Sequence, residues 1–91
     1  MSITDLQYLV KMKEIFIKKY WHEEDVWFYL HFQNEEAIEQ VEITPKGNVF
    51  LSLENPRENT SLLYDQSLDE LDLEEKDFIT KEEFYRIWNE Q

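Results

Sequence analysis

The side chains best suited to chemistry in this sequence are its two histidines, His22 and His31, in the stretch YWHEEDVWFYLHF at residues 20–32. The first histidine is followed directly by three acids, Glu23, Glu24 and Asp25. Imidazole and carboxylate groups bind zinc and also act as general acids and bases. The zinc-binding HExxH motif, however, requires a second histidine at position 26, where this chain has Val26. The stretch therefore has the groups for a metal or acid–base site without the spacing of that motif.

The alternation of side chains after the acids predicts where the two imidazoles lie. Val26, Phe28, Leu30 and Phe32 alternate with Trp27, Tyr29 and His31, as side chains do along a β-strand. If a turn centred on Glu24 folds this strand back on the preceding residues, His22 pairs with Val26 and His31 pairs with Ile17. The imidazoles are then about five residues, or roughly 16 Å, apart and on opposite faces. We therefore expect no shared metal ion.

Other catalytic and binding motifs fit the chain poorly. The acidic run from Asp65 resembles a calcium-binding EF loop, but it has Glu70 at the sixth position, where glycine is needed, and Lys76 at the last, where glutamate is needed. The chain contains no cysteine, and its single glycine, Gly47, excludes a glycine-rich phosphate loop. The acids lie in polar runs that do not suggest a raised pKa in a cleft. We expect neither an enzyme nor a cofactor.

Composition indicates one small globular domain. Ninety-one residues with 42% hydrophobic and 15% aromatic side chains are enough for one modest core. The sequence shows no long apolar run and no signal-peptide pattern, and the lack of cysteine suits a reducing compartment. We therefore expect a cytoplasmic protein, with residues 12–90 as its core domain and residues 1–11 as an N-terminal helical extension.

Charge is the most unusual property of the chain, with a net value of −12 at pH 7. Residues 1–19 carry four lysines and two acids, for +2, whereas residues 20–91 carry five Lys or Arg and nineteen acids, for −14. Such a surface repels nucleic acids and anionic membranes and attracts basic proteins. The alternative explanation is that the acidity serves solubility alone.

Helix starts are predicted by three Ser/Thr-x-x-Glu/Gln boxes, in which the side chains cap the first turn. They run from Thr4 to Gln7, from Ser67 to Glu70 and from Thr80 to Glu83. After the third box, Phe84, Ile87 and Trp88 form one apolar stripe. We therefore predict one N-terminal helix and two C-terminal helices.

Strands are predicted between these helices. The turn TPKGN suits a three-residue hairpin loop that pairs Thr44 with Asn48 and Ile43 with Val49. This pairing places one apolar set on a single face, namely Val41, Ile43, Val49, Leu51 and Leu53. Residues 13–22 could continue the first helix, but their β-branched and aromatic side chains favour a strand. The prediction is an α+β domain with a three- to four-stranded antiparallel meander sheet.

The turn centred on Glu24 also predicts how the sheet faces are composed. One face would hold Phe16, Tyr20, Val26, Phe28, Leu30 and Phe32. The other would hold Ile15, Ile17, Trp21, Trp27, Tyr29 and His31. One of these faces must line the core. The second is either covered by the rest of the chain or left as an exposed aromatic patch with an acidic rim, which would suit protein binding.

The ordered motifs resemble a family of small acidic bacterial domains of unknown function. These motifs are Tyr-Trp-His followed by acids, QVEITPKG, SLDEL and the C-terminal ITKEEFYRIW. The resemblance covers about Met12 to Glu90, with Tyr20 where the family has tryptophan and Lys46 where it has a turn aspartate. It implies the fold, including a strand at residues 14–22, and it implies no activity or catalytic residue.

Together these observations predict a non-enzymatic acidic domain that binds and neutralises a basic partner protein such as a nuclease toxin, as immunity proteins and inhibitors do. The alternatives are a DNA-mimic inhibitor of a nuclease, of anti-restriction or anti-CRISPR type, and an accessory interaction module with incidental acidity. An enzyme that uses the histidines is favoured least. Direct binding to nucleic acid or membranes is not expected, and the oligomeric state is left open. The predicted partner-binding residues are Trp21, Glu23, Glu24, Asp25, Trp27, Tyr29, His31, Asp69, Glu70, Asp72, Glu74 and Glu75.

Overall fold

A computed structural model of the protein describes residues 13–91, so the predicted N-terminal helical extension lies outside the described residues. A four-stranded antiparallel sheet has the order β1-β2-β3-β4. Its strands are β1 (Glu14–Trp21), β2 (Val26–Gln33), β3 (Glu36–Thr44) and β4 (Gly47–Ser52). The predicted antiparallel meander is confirmed, and the ambiguous residues before His22 form a strand.

The chain after the meander is mostly irregular. A small two-stranded ribbon joins β5 (Arg57–Glu58) to β6 (Ser61–Leu62). Two single turns of 3-10 helix follow, Leu68–Glu70 and Glu75–Asp77, and the chain ends with the helix α1 (Lys81–Trp88). Within residues 13–91, no helix is long and apolar enough to cross a membrane. The fold is therefore α+β, with one α-helix in the part of the chain described.

The register of the first hairpin differs by one residue from the prediction. Trp21 pairs with Val26, and Phe16 pairs with His31, because the turn contains the four residues 22–25. Asp25 closes this turn with a left-handed backbone (φ 56°), and its carboxylate accepts a hydrogen bond from the Tyr20 hydroxyl at 2.6 Å. A shift of one residue moves every side chain of a strand to the other face. The predicted composition of both sheet faces is therefore wrong.

The second hairpin is also one residue shorter than predicted. Thr44 pairs with Gly47 across a two-residue turn, and Ile43 pairs with Asn48. The Thr44 hydroxyl fixes this turn, because it donates to the Gly47 carbonyl at 2.7 Å and accepts from the Lys46 amide at 3.1 Å. As a result Val41 and Ile43 share a face with Phe50, whereas Val49 and Leu51 lie on the opposite face, as does buried Gln40.

The helix covers one face of the sheet. Thr80 caps it as predicted, because its hydroxyl accepts from the Glu83 amide at 3.1 Å. Buried Phe84 packs with Phe16 and Val41 of the sheet. Partly buried side chains surround this core, namely Tyr29, Ile43, Phe50, Ile79, Tyr85, Ile87 and Trp88. The apolar stripe predicted for the C-terminal helix is therefore confirmed as a core-facing surface.

The opposite face is covered by residues 57–73, which we call the covering segment. The buried residues of this face are Ile17, Leu30, Phe32 and Ala37, and the covering side chains are Leu63, Tyr64, Leu68, Leu71 and Leu73. The predicted helix after Ser67 is wrong, because Ser67 caps only one 3-10 turn, through the Asp69 amide. Extended backbone beyond that turn places Leu71 and Leu73 on the same side, which a helix would not do.

The core position of Phe84 can be tested against an exposed phenylalanine near it in sequence. Phe84 is fully buried, whereas Phe78 is 48% exposed. Phe84→Ala is expected to lower the free energy of unfolding by about 3–5 kcal/mol through lost burial and a new cavity. Phe78→Ala is expected to cost less than about 1 kcal/mol. Urea unfolding followed by circular dichroism measures both, and equal losses would contradict this packing.

Candidate functional site

The structure divides the predicted partner-binding residues between several places. Four of them line one cavity of about 540 Å³, namely Trp21, Glu23, Glu70 and Asp72. The first two are about 50 residues from the last two in sequence. Trp27, Tyr29 and His31 belong to the helix-covered face on the other side of the sheet. The remaining predicted acids are exposed and do not line this cavity, namely Glu24, Asp25, Asp69, Glu74 and Glu75.

Of the two alternatives for the second sheet face, cover by the rest of the chain is confirmed, and Trp21, Trp27, Tyr29 and His31 do not form one exposed aromatic patch. Trp21 is 50% exposed and Trp27 is 39% exposed, but the two indoles lie on opposite faces of the sheet. Tyr29 is half-buried against the helix, and His31 is only 3% exposed. The cause is the one-residue difference in register, which places His31 beside Phe16 on the face that the helix covers.

The cavity lies between the turn end of the first hairpin and the covering segment. Its sheet side is formed by Phe28 and Leu30 of β2 and by Gln40 and Glu42 of β3. The hairpin end and the covering segment complete the lining with Lys19, Tyr20, Trp21, His22, Glu23, Leu62, Tyr64, Glu70, Leu71 and Asp72. Aromatic and aliphatic side chains therefore form most of the interior, and carboxylates are placed among them.

A buried hydrogen-bond network fixes the covering segment over this cavity. The Glu42 carboxylate, in a residue only 8% exposed, accepts from the Gln40 amide and from the Ser61 hydroxyl, each at 2.8 Å. The Gln40 side chain also accepts from the Tyr64 amide at 2.8 Å and donates to the Leu62 carbonyl at 3.1 Å. Strand β3 and the covering segment are thus joined through two polar side chains.

These two polar residues were not predicted as site residues. Their i, i+2 spacing in AIEQVEIT places Gln40 and Glu42 on one face of β3. In an antiparallel sheet with one solvent-exposed face, polar side chains at i and i+2 normally point to the solvent. Only the covering segment, which has no periodic pattern of its own, turns this face into an interior.

Lys19 contributes an ammonium group to the cavity lining, and this group already forms hydrogen bonds within the protein. Its Nζ donates to the Asp77 carboxylate and to the Asp72 carbonyl, each at 2.9 Å. Asp77 also accepts from the Glu74 amide at 2.8 Å. That backbone hydrogen bond and the bond from Lys19 lower the pKa of Asp77, and the hydrogen bond to Asp77 raises the pKa of Lys19.

The charge of the cavity is therefore negative. Four carboxylates and one ammonium line it, and the ammonium is paired with a fifth carboxylate outside the lining. Apolar walls with unneutralised carboxylates can desolvate and neutralise a cation. The cavity thus has the chemistry of a site for a positively charged group with an apolar part.

His31 lies in a separate cluster beneath the helix. Phe16 stacks on the imidazole with ring centroids 4.2 Å apart. The Nδ1 atom lies 2.7 Å from a Glu39 oxygen, and Nε2 lies 3.3 Å from a Glu14 oxygen. The Tyr85 hydroxyl donates to Glu39 at 2.5 Å, and burial together with this bond raises the pKa of Tyr85.

Both ring nitrogens of His31 face carboxylate oxygens, and Nδ1 also lies 3.2 Å from the Tyr85 hydroxyl. The two carboxylates sit at opposite nitrogens and so do not converge on a common point. Within residues 13–91, no group of three or more His, Asp or Glu side chains is arranged to hold a metal ion. This cluster is therefore an internal hydrogen-bonded network under the helix.

No protein-family model, curated protein or solved structure matches this chain. The resemblance to small acidic bacterial domains stays a prediction.

The Lys19–Asp77 pair predicts a defined loss of stability in acid. The pKa of Asp77 is lowered from 3.8 on folding, so its contribution is complete well above pH 3.8 and is lost as the pH falls through the lowered value. Asp77→Asn is expected to be less stable than the wild type at neutral pH and to approach it near pH 2. Urea midpoints between about pH 2 and pH 7 measure this, with exposed Asp65→Asn as control. A constant difference across that range would contradict the assignment.

The two histidines provide a matched test of the buried network. His31→Gln removes the imidazole ring that Glu14, Glu39 and Phe16 contact, and it is expected to cost about 2–4 kcal/mol of unfolding free energy. His22→Gln makes the same change in an exposed turn and is expected to cost less than about 0.5 kcal/mol. Urea denaturation at neutral pH compares the variants. A small effect at both positions would show that the network contributes nothing measurable.

Proposed function

We propose that this protein is a non-enzymatic acidic domain that binds and neutralises a basic partner protein, in the manner of an immunity protein or inhibitor, with a nuclease toxin as an example of such a partner. The observation that carries the proposal is the meeting of two acidic segments around one apolar cavity. Glu23 comes from the first hairpin, and Glu70 and Asp72 come from the covering segment about 50 residues later.

Physical chemistry supports a protein ligand for this arrangement. Carboxylates around a recess speed the encounter with a cationic partner, and a desolvated apolar interior supplies most of the affinity. Trp21 is half exposed at the cavity, and aromatic side chains are common anchors of interfaces. The net charge of −12 also attracts a cationic partner at long range, in addition to the local attraction by the carboxylates of the cavity.

The shape of the site favours this proposal over a DNA mimic. A duplex mimic needs carboxylates repeated along a surface at the spacing of phosphates. Here the acids of the cavity surround a recess with apolar walls, which suits a protruding side chain of a protein. Incidental acidity of an accessory module would not require two distant segments to place their carboxylates at one recess.

The proposal predicts a salt-dependent complex with a basic protein. The full-length protein would be immobilised, partners captured from its native host, and each captured protein purified for binding measurements by calorimetry. We expect a basic partner with 1:1 stoichiometry whose Kd rises several-fold between about 50 and 200 mM salt. The triple variant Glu23→Gln, Glu70→Gln, Asp72→Asn is expected to weaken binding at least about tenfold.

A control variant carries the same change of charge outside the cavity. Its substitutions are Glu54→Gln, Glu82→Gln and Glu90→Gln, at exposed positions that do not line the recess. This variant is expected to lose less than about threefold in affinity. A neutral or acidic partner, or equal losses for the two triple variants, would overturn the proposal. Competition by duplex DNA for a captured nuclease would favour the DNA-mimic inhibitor instead.

A further inference from the structure

We propose that the cavity binds an arginine side chain of the basic partner, with the buried Glu42 carboxylate as the counter-ion at its inner end. This inference rests on the proposed function and specifies which chemical group of the partner enters the recess. It assigns the central role to Glu42, a residue of the sheet, whereas the acids of the hairpin and the covering segment attract the partner to the opening.

The first observation is a buried charge whose hydrogen-bond donors are all neutral. Glu42 is 8% exposed and accepts from an amide of Gln40 and a hydroxyl of Ser61. Within residues 13–91, no Lys, Arg or His side chain forms an ion pair with it. A buried carboxylate is costly without a cation, so one that lines a cavity marks the place where a cation from outside would be stabilised most.

The hydrogen-bonding capacity of Glu42 leaves room for such a ligand. A carboxylate offers about four acceptor sites, and each Glu42 oxygen uses one of them within the protein. Lys19 cannot supply the missing charge, because its ammonium is held between Asp72 and Asp77. The remaining acceptor sites match the paired N–H groups that a guanidinium presents.

The walls of the cavity favour arginine over lysine. Trp21, Phe28 and Tyr64 line it, and a planar guanidinium stacks on aromatic rings while it donates in its own plane. A lysine ammonium is a compact and strongly hydrated charge that gains less from such walls. A volume of about 540 Å³ is within the range of cavities that enclose whole organic ligands, so the aliphatic part of the arginine is also accommodated.

The probe for this site is a short peptide with one positive charge, acetyl-Leu-Arg-Leu-amide. A peptide with citrulline in place of arginine has nearly the same shape but no charge. A peptide with lysine in place of arginine has the same charge but no guanidinium group. Binding to the full-length protein would be followed by NMR titration of backbone amides, tryptophan indoles and side-chain amides. We expect the arginine peptide to shift the Trp21 indole and the Gln40 side-chain amide, and to bind at least about tenfold more tightly than the citrulline peptide. The lysine peptide is expected to rank between them.

The matched variants are Glu42→Gln and Glu90→Gln, which remove one negative charge inside and outside the cavity. Glu42→Gln is expected to weaken the arginine peptide at least about tenfold, and Glu90→Gln less than about twofold. In the absence of peptide, the urea midpoint of Glu42→Gln is expected to equal or exceed that of the wild type, because a buried charge is removed. A lower midpoint would assign the charge a structural role and overturn the inference.

The inference also fails if the citrulline peptide binds as tightly as the arginine peptide, or if Glu42→Gln keeps full affinity. These failures are separable from failure of the proposed function. If the basic partner still loses binding when Glu23, Glu70 and Asp72 are neutralised, the domain remains an acidic binding protein without an arginine anchor. If no basic partner binds, the proposed function itself is wrong, even if the arginine peptide binds in the cavity.

Discussion

A sheet with apolar side chains on both faces must be covered twice, and this constraint determines the rest of the structure. The helix α1 covers one face with Phe84. The other face is covered by the covering segment, most of which has neither helix nor strand. A segment with little regular structure satisfies only part of its backbone groups by itself, so side chains of the sheet complete its hydrogen bonds. From the middle of β3, Gln40 binds its backbone at Leu62 and Tyr64, and Glu42 binds the Ser61 hydroxyl.

The polar residues inside this sheet therefore have a structural reason and a functional consequence. Gln40 binds the backbone of the covering segment at Tyr64 and Leu62, and it aligns the Glu42 carboxylate at the same time. A neutral glutamine could accept from the Gln40 amide and donate to the Ser61 hydroxyl oxygen, because a hydroxyl can also accept, so the fold by itself does not require the charge at position 42. The surplus charge faces the cavity, which is why we connect it with a ligand.

Much of the fold was predictable from local patterns, because strand alternation and helix capping depend on neighbouring residues. The alternation in Val26–Gln33 and the capping threonine Thr80 both correspond to the observed elements. Hairpin registers were wrong by one residue, since they depend on turn details such as the left-handed Asp25 and the hydroxyl bonds of Thr44. One residue decides which face a side chain occupies, so His31 was paired with the wrong residues of β1. Glu42 was missed for another reason, because the covering segment that buries its face has no periodic pattern. The structure brings Glu23, Glu70 and Asp72 to one cavity, and their role in partner binding stays a prediction.

The irregular backbone of the covering segment has a consequence for how the protein can change during evolution. Its acids occupy positions between the leucines that pack on the sheet, and they are not part of a continuous hydrogen-bond ladder. Substitution of Asp69, Glu70 or Asp72 therefore leaves the pairing of the four long strands unaffected. A lineage can change these acids while the scaffold below them stays the same, as the proposed binding to a diverging partner would require.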